Sequence, residues 1–433
     1  MVLTASGRSA VVAAVALAAA VTTACSPIAS LPASLPTTPS PAASRTALAD
    51  PTRPAMTAPT ATSTPARTGG SATADPEGYI PVVVPASAIT TVELPAGFGF
   101  HRLDSDGPLV VLDQVASVSP AAGRSIYLVD LANATMRTLT DAPSGYTVWA
   151  PAISGSVVAW LEWHYEGQSD TGACDWRIRV EDVSASGLAR TVASGVQRRA
   201  GTGFGASWPA LDLDGDRVVY AIEDPSAAPD GWQIIVRTLA GDVLKTIHVP
   251  EPVYDLAASD GAIAWTEGRT DPKLGYTTAT HLFVAQGSAT TGTELASDAY
   301  EVALDAGRLV WTKDSPGGQG AAIGTRMWST SLDSLAPMAV SPPPGQGTEQ
   351  LQEWPATGDG IVTWGSARVS MADPTQNGDR LGVWSPTTAH AVEIHPTPGA
   401  ILSGAGGGWV VWVDYRSDPP TVSGITDQVL GLP

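Results

Sequence analysis

The chain has 433 residues and a formal net charge of −19, with 23 Lys and Arg against 42 Asp and Glu. This balance lacks the basic footprint that phosphate contacts require, which excludes nucleic acid as a partner. The 44 Gly and 36 Pro favour turn-rich β structure over helical bundles, and only two Cys, Cys25 and Cys174, argue against a disulfide framework.

Residues 1–24 have the features of a signal peptide. Arg8 precedes twelve apolar residues, Ala10 to Val21, a run too short to cross a bilayer comfortably. The next residues, "VTTAC", resemble the lipobox of bacterial lipoproteins, which implies that Cys25 is acylated and becomes the mature N-terminus. Thr22 stands where that pattern prefers Leu. The alternative is therefore cleavage of the signal peptide after Ala24 without acylation, which would give a secreted protein.

Residues 25–79 combine this lipidation site with a predicted disordered tether. The stretch from 26 to 75 consists almost entirely of Ala, Pro, Ser and Thr without one aromatic residue, so it cannot bury enough surface to offset its ordering entropy. We therefore expect an exported protein anchored to the outer face of a bacterial cytoplasmic membrane. Contact with the membrane would be through the lipid alone.

From residue 80 onward, one hairpin pattern recurs seven times. In "LDLDGDRVVYAIED", residues 211–224, an Asp-Gly turn joins two short apolar runs, and six similar units end at an equivalent apolar anchor. The anchors are Leu112, Trp160, Tyr220, Trp265, Trp311, Trp364 and Trp412. Their spacings of 48, 60, 45, 46, 53 and 48 residues are typical of propeller blades with insertions.

Two more β-rich runs follow each complete hairpin, which gives four strands per unit. The last unit lacks a fourth strand, with "SGITDQVLGLP" able to supply its third, and "AITTVELP" at residues 88–95 resembles the missing one. The sequence therefore predicts an all-β fold, a seven-bladed β-propeller of four-stranded antiparallel blades over residues 80–433, closed by its N-terminal strand. Six or eight blades are the alternatives.

The units "LDLDGDRVVY" and "IYLVDLANATMRTLT" resemble the blades of the TolB-like propeller family, "SPDGKxIAF…IYxxDLxxGxxxxLT". The resemblance covers about residues 88–433 and implies an extracytoplasmic recognition scaffold without implying a catalytic residue. WD-repeat proteins share the architecture, but their Gly-His dipeptide is missing.

The anchor Trp residues allow two interpretations. Some propeller enzymes place repeated Trp motifs beside a quinone, but one aromatic per blade at one register is typical of packing between neighbouring sheets. No nucleophile elbow, zinc-protease motif or phosphate loop occurs in the sequence. We predict no cofactor, no metal site and no catalytic residues.

Long predicted loops between second and third strands lie on one face of the ring, where the innermost strands also begin. Recognition by a rigid scaffold usually occurs at such loops. The beginnings of the innermost strands supply a predicted binding set around the channel mouth. Its members are His101, Arg102, Trp149, Trp208, Tyr254, Asp255, Tyr300, Glu301, Glu353 and Trp354, and Phe100 lies beside them in the sequence. Aromatic faces and a few charges suit an envelope protein, peptide or glycan ligand.

The second strands end in acidic residues, which predict an acidic rim around that mouth. These residues are Asp113, Glu162, Glu223, Glu267, Asp314 and Asp414. The alternative is that the aromatics pack between blades and the acids only solvate the surface. A binding scaffold is the favoured function, and a secreted propeller enzyme of hydrolase or lactonase type, acting on a carbohydrate or small molecule, is the runner-up.

Overall fold

The structure is a computed structural model. It describes residues 79–96, 98–116, 125–165, 173–185, 187–198, 210–224, 231–270, 277–315, 324–341, 348–370, 378–387, 391–395, 400–414 and 417–431. Cys25 and Trp208 therefore lie outside the described residues. Within the described residues, no helix is long and apolar enough to cross a membrane.

Two short strands precede the first blade, and 27 more strands follow them in the described residues. The first two are β1 (Ile80–Val83) and β2 (Thr90–Glu93), separated by a 3-10 turn at Ala86–Ala88. Blade 1 then contains β3 (Phe98–Asp106), β4 (Leu109–Ala116), β5 (Ser125–Asp130) and β6 (Thr135–Asp141). Blade 2 contains β7 (Tyr146–Ser154), β8 (Val157–Tyr165), β9 (Ala173–Asp182) and β10 (Arg190–Arg198).

The next three blades repeat this order. Blade 3 contains β11 (Leu211–Asp214), β12 (Arg217–Glu223), β13 (Trp232–Thr238) and β14 (Val243–Val249). Blade 4 contains β15 (Val253–Ser259), β16 (Ala262–Thr270), β17 (Thr277–Gln286) and β18 (Thr293–Ser297). Blade 5 contains β19 (Ala299–Asp305), β20 (Arg308–Ser315), β21 (Gly324–Ser331) and the two-residue β22 (Met338–Ala339).

The last two blades include the strands from the N-terminus. Blade 6 contains β23 (Thr348–Gly358), β24 (Ile361–Ser370), β25 (Gly378–Trp384) and β26 (Val392–His395). Blade 7 contains β27 (Ala400–Gly406), β28 (Trp409–Asp414), β29 (Thr421–Thr426) and, as its outermost strand, β2. The fold is a seven-bladed β-propeller of four-stranded antiparallel blades, as predicted.

The seven anchors lie at the seven junctions between neighbouring blades. Each anchor is at most 3% exposed and packs in a cluster formed by its own blade and the preceding one. Trp160, for example, packs with Val111 and Ile126 of blade 1. The prediction that these aromatics pack between sheets is confirmed, because a radial ring must bury both faces of every blade.

Ring closure also follows the prediction. β2 pairs antiparallel with β29, with Val92 opposite Val422, and Leu94 is buried between blades 7 and 1. This pairing gives blade 7 its fourth strand and protects the edge of β29.

Two details differ from the sequence-based expectation. β1 adds a fifth strand to blade 6, in parallel register with β26, between the buried side chains of Tyr79 and Val84. The third strand of blade 7 is β29, Thr421–Thr426, which includes only the first residues of the predicted segment "SGITDQVLGLP". The residues that follow form a short helix, α1 (Asp427–Leu430). Gly431 ends that helix with a left-handed φ of 63°, the usual conformation after a helix C-terminus.

Candidate functional site at the channel mouth

Six of the seven innermost strands carry a β-bulge near the face of the ring where they begin. The bulges lie in β3, β7, β15, β19, β23 and β27. In β15, for example, Tyr254 is the extra residue between the pairs Val253–Glu267 and Asp255–Thr266. A bulge locally changes the direction of side chains on a strand. The predicted binding residues other than Trp208 lie at or beside these bulges, so this backbone irregularity is repeated around the channel mouth.

Two bulges hold non-glycine residues in the left-handed backbone region. Ala150 has a φ of 49° and Trp354 a φ of 58°, and a proline follows each of them. Such conformations cost about 1–3 kcal/mol and persist where the surrounding structure holds them in place. At Trp354 the backbone N–H donates to Oε2 of Glu301 in blade 5 at 2.6 Å. Glu301 therefore fixes a strained Trp of the next blade.

An ion pair joins two non-adjacent blades across the channel. Nη2 of Arg102 in blade 1 lies 3.1 Å from Oδ1 of Asp255 in blade 4, with side-chain exposures of 29% and 18%. The other oxygen of Asp255 accepts a hydrogen bond from the backbone N–H of Val302 in blade 5 at 2.9 Å. Asp255 consequently binds blades 1, 4 and 5 together at the axis.

Deeper in the channel, blades 1 and 3 share an Asp-x-Asp-Gly motif with the same role. Asp104 accepts the backbone N–H of Ile153 in blade 2, and Asp212 accepts that of Ala258 in blade 4, both at 2.7 Å. Each carboxylate also accepts the N–H of the residue that follows it, at 2.8 Å. The second Asp of each motif binds the next blade's hairpin turn, Asp106 to Gly155 and Asp214 to Gly261. The motif therefore connects adjacent blades at two depths.

Burial in the channel raises the pKa of both inner carboxyls. Desolvation is the main cause in each case, and it raises the pKa of Asp104 to about 6 and that of Asp212 to about 8. The two carboxylates also repel each other, while the backbone N–H groups and Arg102 act in the opposite direction. One guanidinium thus faces three carboxylates near the axis: Asp104, Asp212 and Asp255.

The predicted aromatic residues do not all face the channel. Trp149 packs against the core between blades 2 and 3, and Trp354 packs against the core between blades 7 and 1. The hydroxyl of Tyr300 donates to Oδ2 of Asp314 at 3.0 Å, and Tyr254 is half-buried. The side chains of Phe100, His101 and Glu353 lie outside the described residues, as does Trp208. Arg102, Asp255 and Glu301 are the predicted charges that the structure brings to the channel.

The predicted acidic rim is wrong for three of its six residues. Asp113, Glu162 and Glu267 are buried, and they bind groups of the protein itself. Asp113 accepts the backbone N–H of Arg102 at 2.8 Å, and Glu162 pairs with Arg177. The strands β4, β8 and β16 each continue three residues beyond these acids, so the acids lie inside the strands and accept donors of the protein. Among the other three, Asp314 is exposed.

Glu267 differs from Glu162 because no arginine lies opposite it on the third strand. Glu162 lies opposite Arg177 on the third strand, whereas Glu267 lies opposite His281. Burial is the main cause that raises the pKa of Glu267 to about 7, although Nε1 of Trp265 donates to it at 3.3 Å. Within the described ranges, no three His, Cys, Asp or Glu residues are placed to hold a metal ion.

The functional residues that the sequence analysis missed are Asp104 and Asp212. Their signal was present as the matching stretches "LDSDG" and "LDLDG", which were interpreted only as turns. An Asp two residues before an Asp-Gly turn can reach the neighbouring blade, and a comparison of blades 1 and 3 alone would have shown the repeat.

The chain matches no protein-family model and no curated protein. Among solved structures it is similar to the β-propeller domain of the Trilobed protease from Pyrococcus furiosus. The TM-score is 0.51 at 11% identity, over 76% of this chain and 94% of that one. That domain is described as having an open velcro topology, whereas β2 closes blade 7 here.

Two further similarities are weaker. The Pyrococcus horikoshii acylaminoacyl peptidase gives a TM-score of 0.48 at 12% identity over 75% of this chain, which spans only 50% of the peptidase. TolB from Acinetobacter baumannii gives 0.36 at 11% identity, over 71% of this chain and 82% of TolB. At these identities the similarities show the propeller fold alone.

Proposed function

We propose that the protein is an exported, lipid-anchored binding scaffold of the cell envelope whose ligand site is the channel mouth. The signal-peptide features, the lipobox-like "VTTAC" and the Ala/Pro/Ser/Thr-rich tether support an anchored position. A tether with this predicted disorder would let the propeller meet a ligand at some distance from the membrane. Protein, peptide and glycan ligands all suit a mouth that combines aromatic rings with fixed charges.

The observation that carries this proposal is that the channel acids bind the scaffold itself. Asp255 holds Arg102 and the N–H of Val302, and Glu301 holds the N–H of Trp354. Groups held in this way keep a fixed geometry at the mouth. A preorganised surface favours binding because little conformational entropy is lost when a ligand arrives.

The test is a binding survey with the Cys25→Ala chain, which keeps every described residue and removes the site of acylation. Soluble cell-wall glycan fragments and a set of synthetic peptides would be titrated by calorimetry. We expect one class to bind, with affinity reduced at least about tenfold by Asp255→Asn and by Tyr254→Ala. Leu244→Ala, an exposed position on the outer strand of blade 3, is the matched control. A ligand whose affinity ignores both mouth substitutions would rule out this site.

The raised pKa values of Asp104 and Asp212 favour a second candidate function, that of a hydrolase. Carboxyls that titrate near neutral pH are suited to general acid–base catalysis, and perturbed pKa values are common in active sites. A screen with glycoside, lactone and ester substrates tests this alternative. Turnover that is abolished by Asp212→Asn would replace the binding proposal with an enzymatic one.

Anchoring has a separate test. Mass spectrometry of the mature N-terminus should find acylated Cys25, and the Cys25→Ala chain should leave the membrane fraction. A mature chain that begins at Cys25 without lipid would support secretion instead.

A further inference from the structure

Blade 2 carries a stack of three planar groups on the side that faces blade 1. The guanidinium of Arg177 lies 4.4 Å from the ring centroid of Tyr146, and the rings of Tyr146 and His164 are 5.0 Å apart. Tyr146 of β7 pairs with His164 of β8, and Glu162, two residues before His164, pairs with Arg177 of β9, so the three groups lie on one face of the sheet. None of these three residues belongs to the proposed channel-mouth set.

The backbone beside the stack is adapted to it. Gly145 has a φ of 81°, and a Cβ at that position would lie 3.0 Å from the ring of His164. Any other residue would therefore combine a disfavoured backbone with a close contact to the ring. Glycine allows His164 to lie directly over the chain.

A buried carboxylate fixes the arginine. Glu162 is 4% exposed and pairs through Oε2 with Nε of Arg177, and its Oε1 lies 3.7 Å from Nε of Arg179. Arg179 directs its two terminal nitrogens to Thr191 Oγ1 and to the carbonyl of Ala189, at 2.8 and 2.7 Å. Two guanidinium groups therefore lie beside one buried carboxylate, and the terminal nitrogens of Arg179 are both engaged at or next to the outer strand β10.

Among the described residues, the terminal Nη groups of Arg177 have no hydrogen-bond partner. Its Nε is engaged by Glu162 and its face by Tyr146, while the side chain remains 32% exposed. A guanidinium held by a counter-ion and an aromatic face keeps its Nη groups in one plane, and two parallel N–H donors match the two oxygens of a carboxylate. Such preorganisation lowers the entropy lost when a ligand binds.

We propose that Arg177, supported by Glu162 and Tyr146, is a recognition site for the carboxylate group of a ligand, with His164 adding an aromatic surface beside it. Bidentate pairing explains why an arginine rather than a lysine stands here. The site uses none of the residues proposed for the channel mouth, and its existence does not depend on the function proposed above.

Benzoate is the probe that tests this site, because it offers a carboxylate on a flat ring, and benzamide is its neutral counterpart. Ligand-observed NMR titrations would use the Cys25→Ala chain near neutral pH. We expect saturable, millimolar benzoate binding and no matching binding of benzamide. Asp255→Asn should leave benzoate binding unchanged, which separates this result from any failure of the channel-mouth proposal.

Three substitutions decide the role of the arginine. Arg177→Lys keeps a positive charge beside Glu162 but removes the fork, and it should weaken benzoate binding at least about tenfold. Tyr146→Ala should weaken it by a smaller factor, and Tyr146→Phe should not. Arg137→Gln, which removes an exposed arginine of blade 1 paired with Glu181, is the charge control and should change nothing. Absent benzoate binding in the parent chain, equal binding by Arg177→Lys, or equal binding of benzamide would overturn the proposal.

Discussion

At the scale of single residues, Asp104 and Asp212 join adjacent blades and also bring titratable groups into the channel. Each accepts an N–H of the next blade, so its hydrogen bonds favour the folded ring. Desolvation acts in the opposite direction, since a buried carboxylate loses its hydration. Hydrogen bonding and desolvation therefore act on these carboxyls more strongly than on a surface aspartate. Because desolvation is the larger effect, the stability of the ring should depend on pH.

The sign of this dependence follows from the raised pKa values. An aspartate titrates near 3.8 in the unfolded chain, but near 8 at Asp212 in the folded chain. Between these values the folded chain holds the extra proton, so the free energy of unfolding falls as the pH rises through this range. Asp104 adds to the same trend up to about pH 6. We therefore expect the propeller to be more stable in mild acid than in mild base.

Asp212→Asn tests this expectation directly. The amide cannot ionise and retains an oxygen for the N–H of Ala258, so thermal stability should change less between about pH 5 and about pH 9 than in the parent chain. The difference should be at most on the order of 4 kcal/mol, because about three pKa units separate pH 5 from the pKa of Asp212 and each unit corresponds to about 1.4 kcal/mol. Calorimetric melting at the two pH values measures it. Parallel pH profiles for the two chains would show that Asp212 does not titrate in this range.

At the scale of strands, the anchor Trp364 needs space on the strand beside it. Trp364 of β24 pairs with Gly382 of β25, and a Cβ at Gly382 would lie 2.2 Å from the indole ring. The ring is fully buried among blades 5 and 6, so it has no free space into which it could move. The glycine is thus part of the anchor's packing.

Gly382→Ala should destabilise the protein by roughly 1–3 kcal/mol, the usual range for an extra methyl group in a packed core. Gly187→Ala is the matched control, because no atom lies within 4 Å of its Cβ position. Chemical denaturation of both variants measures the difference. Equal midpoints for Gly382→Ala and the parent chain would mean that Trp364 can shift at little cost.

At the level of strands, the sequence could predict the anchors but not the bulges. Anchors such as Trp160 and Trp311 repeat at blade spacing, and one buried aromatic per sheet follows from that period alone. The bulges leave no comparable signal, and each one changes which side chains face the axis. Trp149 and Trp354 therefore pack into blade junctions although they were predicted at the channel mouth.

Strand β1 was missed for a related reason. "IPVV" carries a proline and has only four residues, which are features of an edge position rather than of a blade strand. Its parallel pairing with β26 depends on the position of the N-terminal segment relative to blade 6, and the local sequence pattern does not predict that position. The closing strand β2 was predictable because blade 7 had a missing strand that a repeat count reveals.

At the scale of the whole molecule, residues 79–94 connect the blades on both sides of the closure. Tyr79 packs against Trp364 between blades 5 and 6, with ring centroids 6.4 Å apart. Val84 enters the core between blades 6 and 7, and Leu94 enters the core between blades 7 and 1. One short segment therefore contributes to three consecutive junctions between blades. The pairing of β2 with β29 is only part of what closes the ring.

Two truncations separate these contributions. A chain shortened to begin at Pro85 loses Tyr79, β1 and Val84 but keeps β2, and one shortened to begin at Ala96 also loses β2. Fully burying a large apolar side chain contributes about 1.5–3 kcal/mol, so the first truncation should cost roughly 3–5 kcal/mol. The second should cost more, because it also removes Val92 and Leu94 and exposes the edge of β29.

A chain that begins at Glu77 retains every described residue and serves as the reference for thermal melting. We expect its melting temperature to exceed that of the Pro85 chain, and the Pro85 chain to exceed the Ala96 chain. The Ala96 chain should also exchange the amide hydrogens of β29 much faster, since their β2 partners are gone. Unchanged protection of β29 in that chain would mean that another segment replaces β2, and equal melting of all three chains would show that the N-terminal segment does not close the ring.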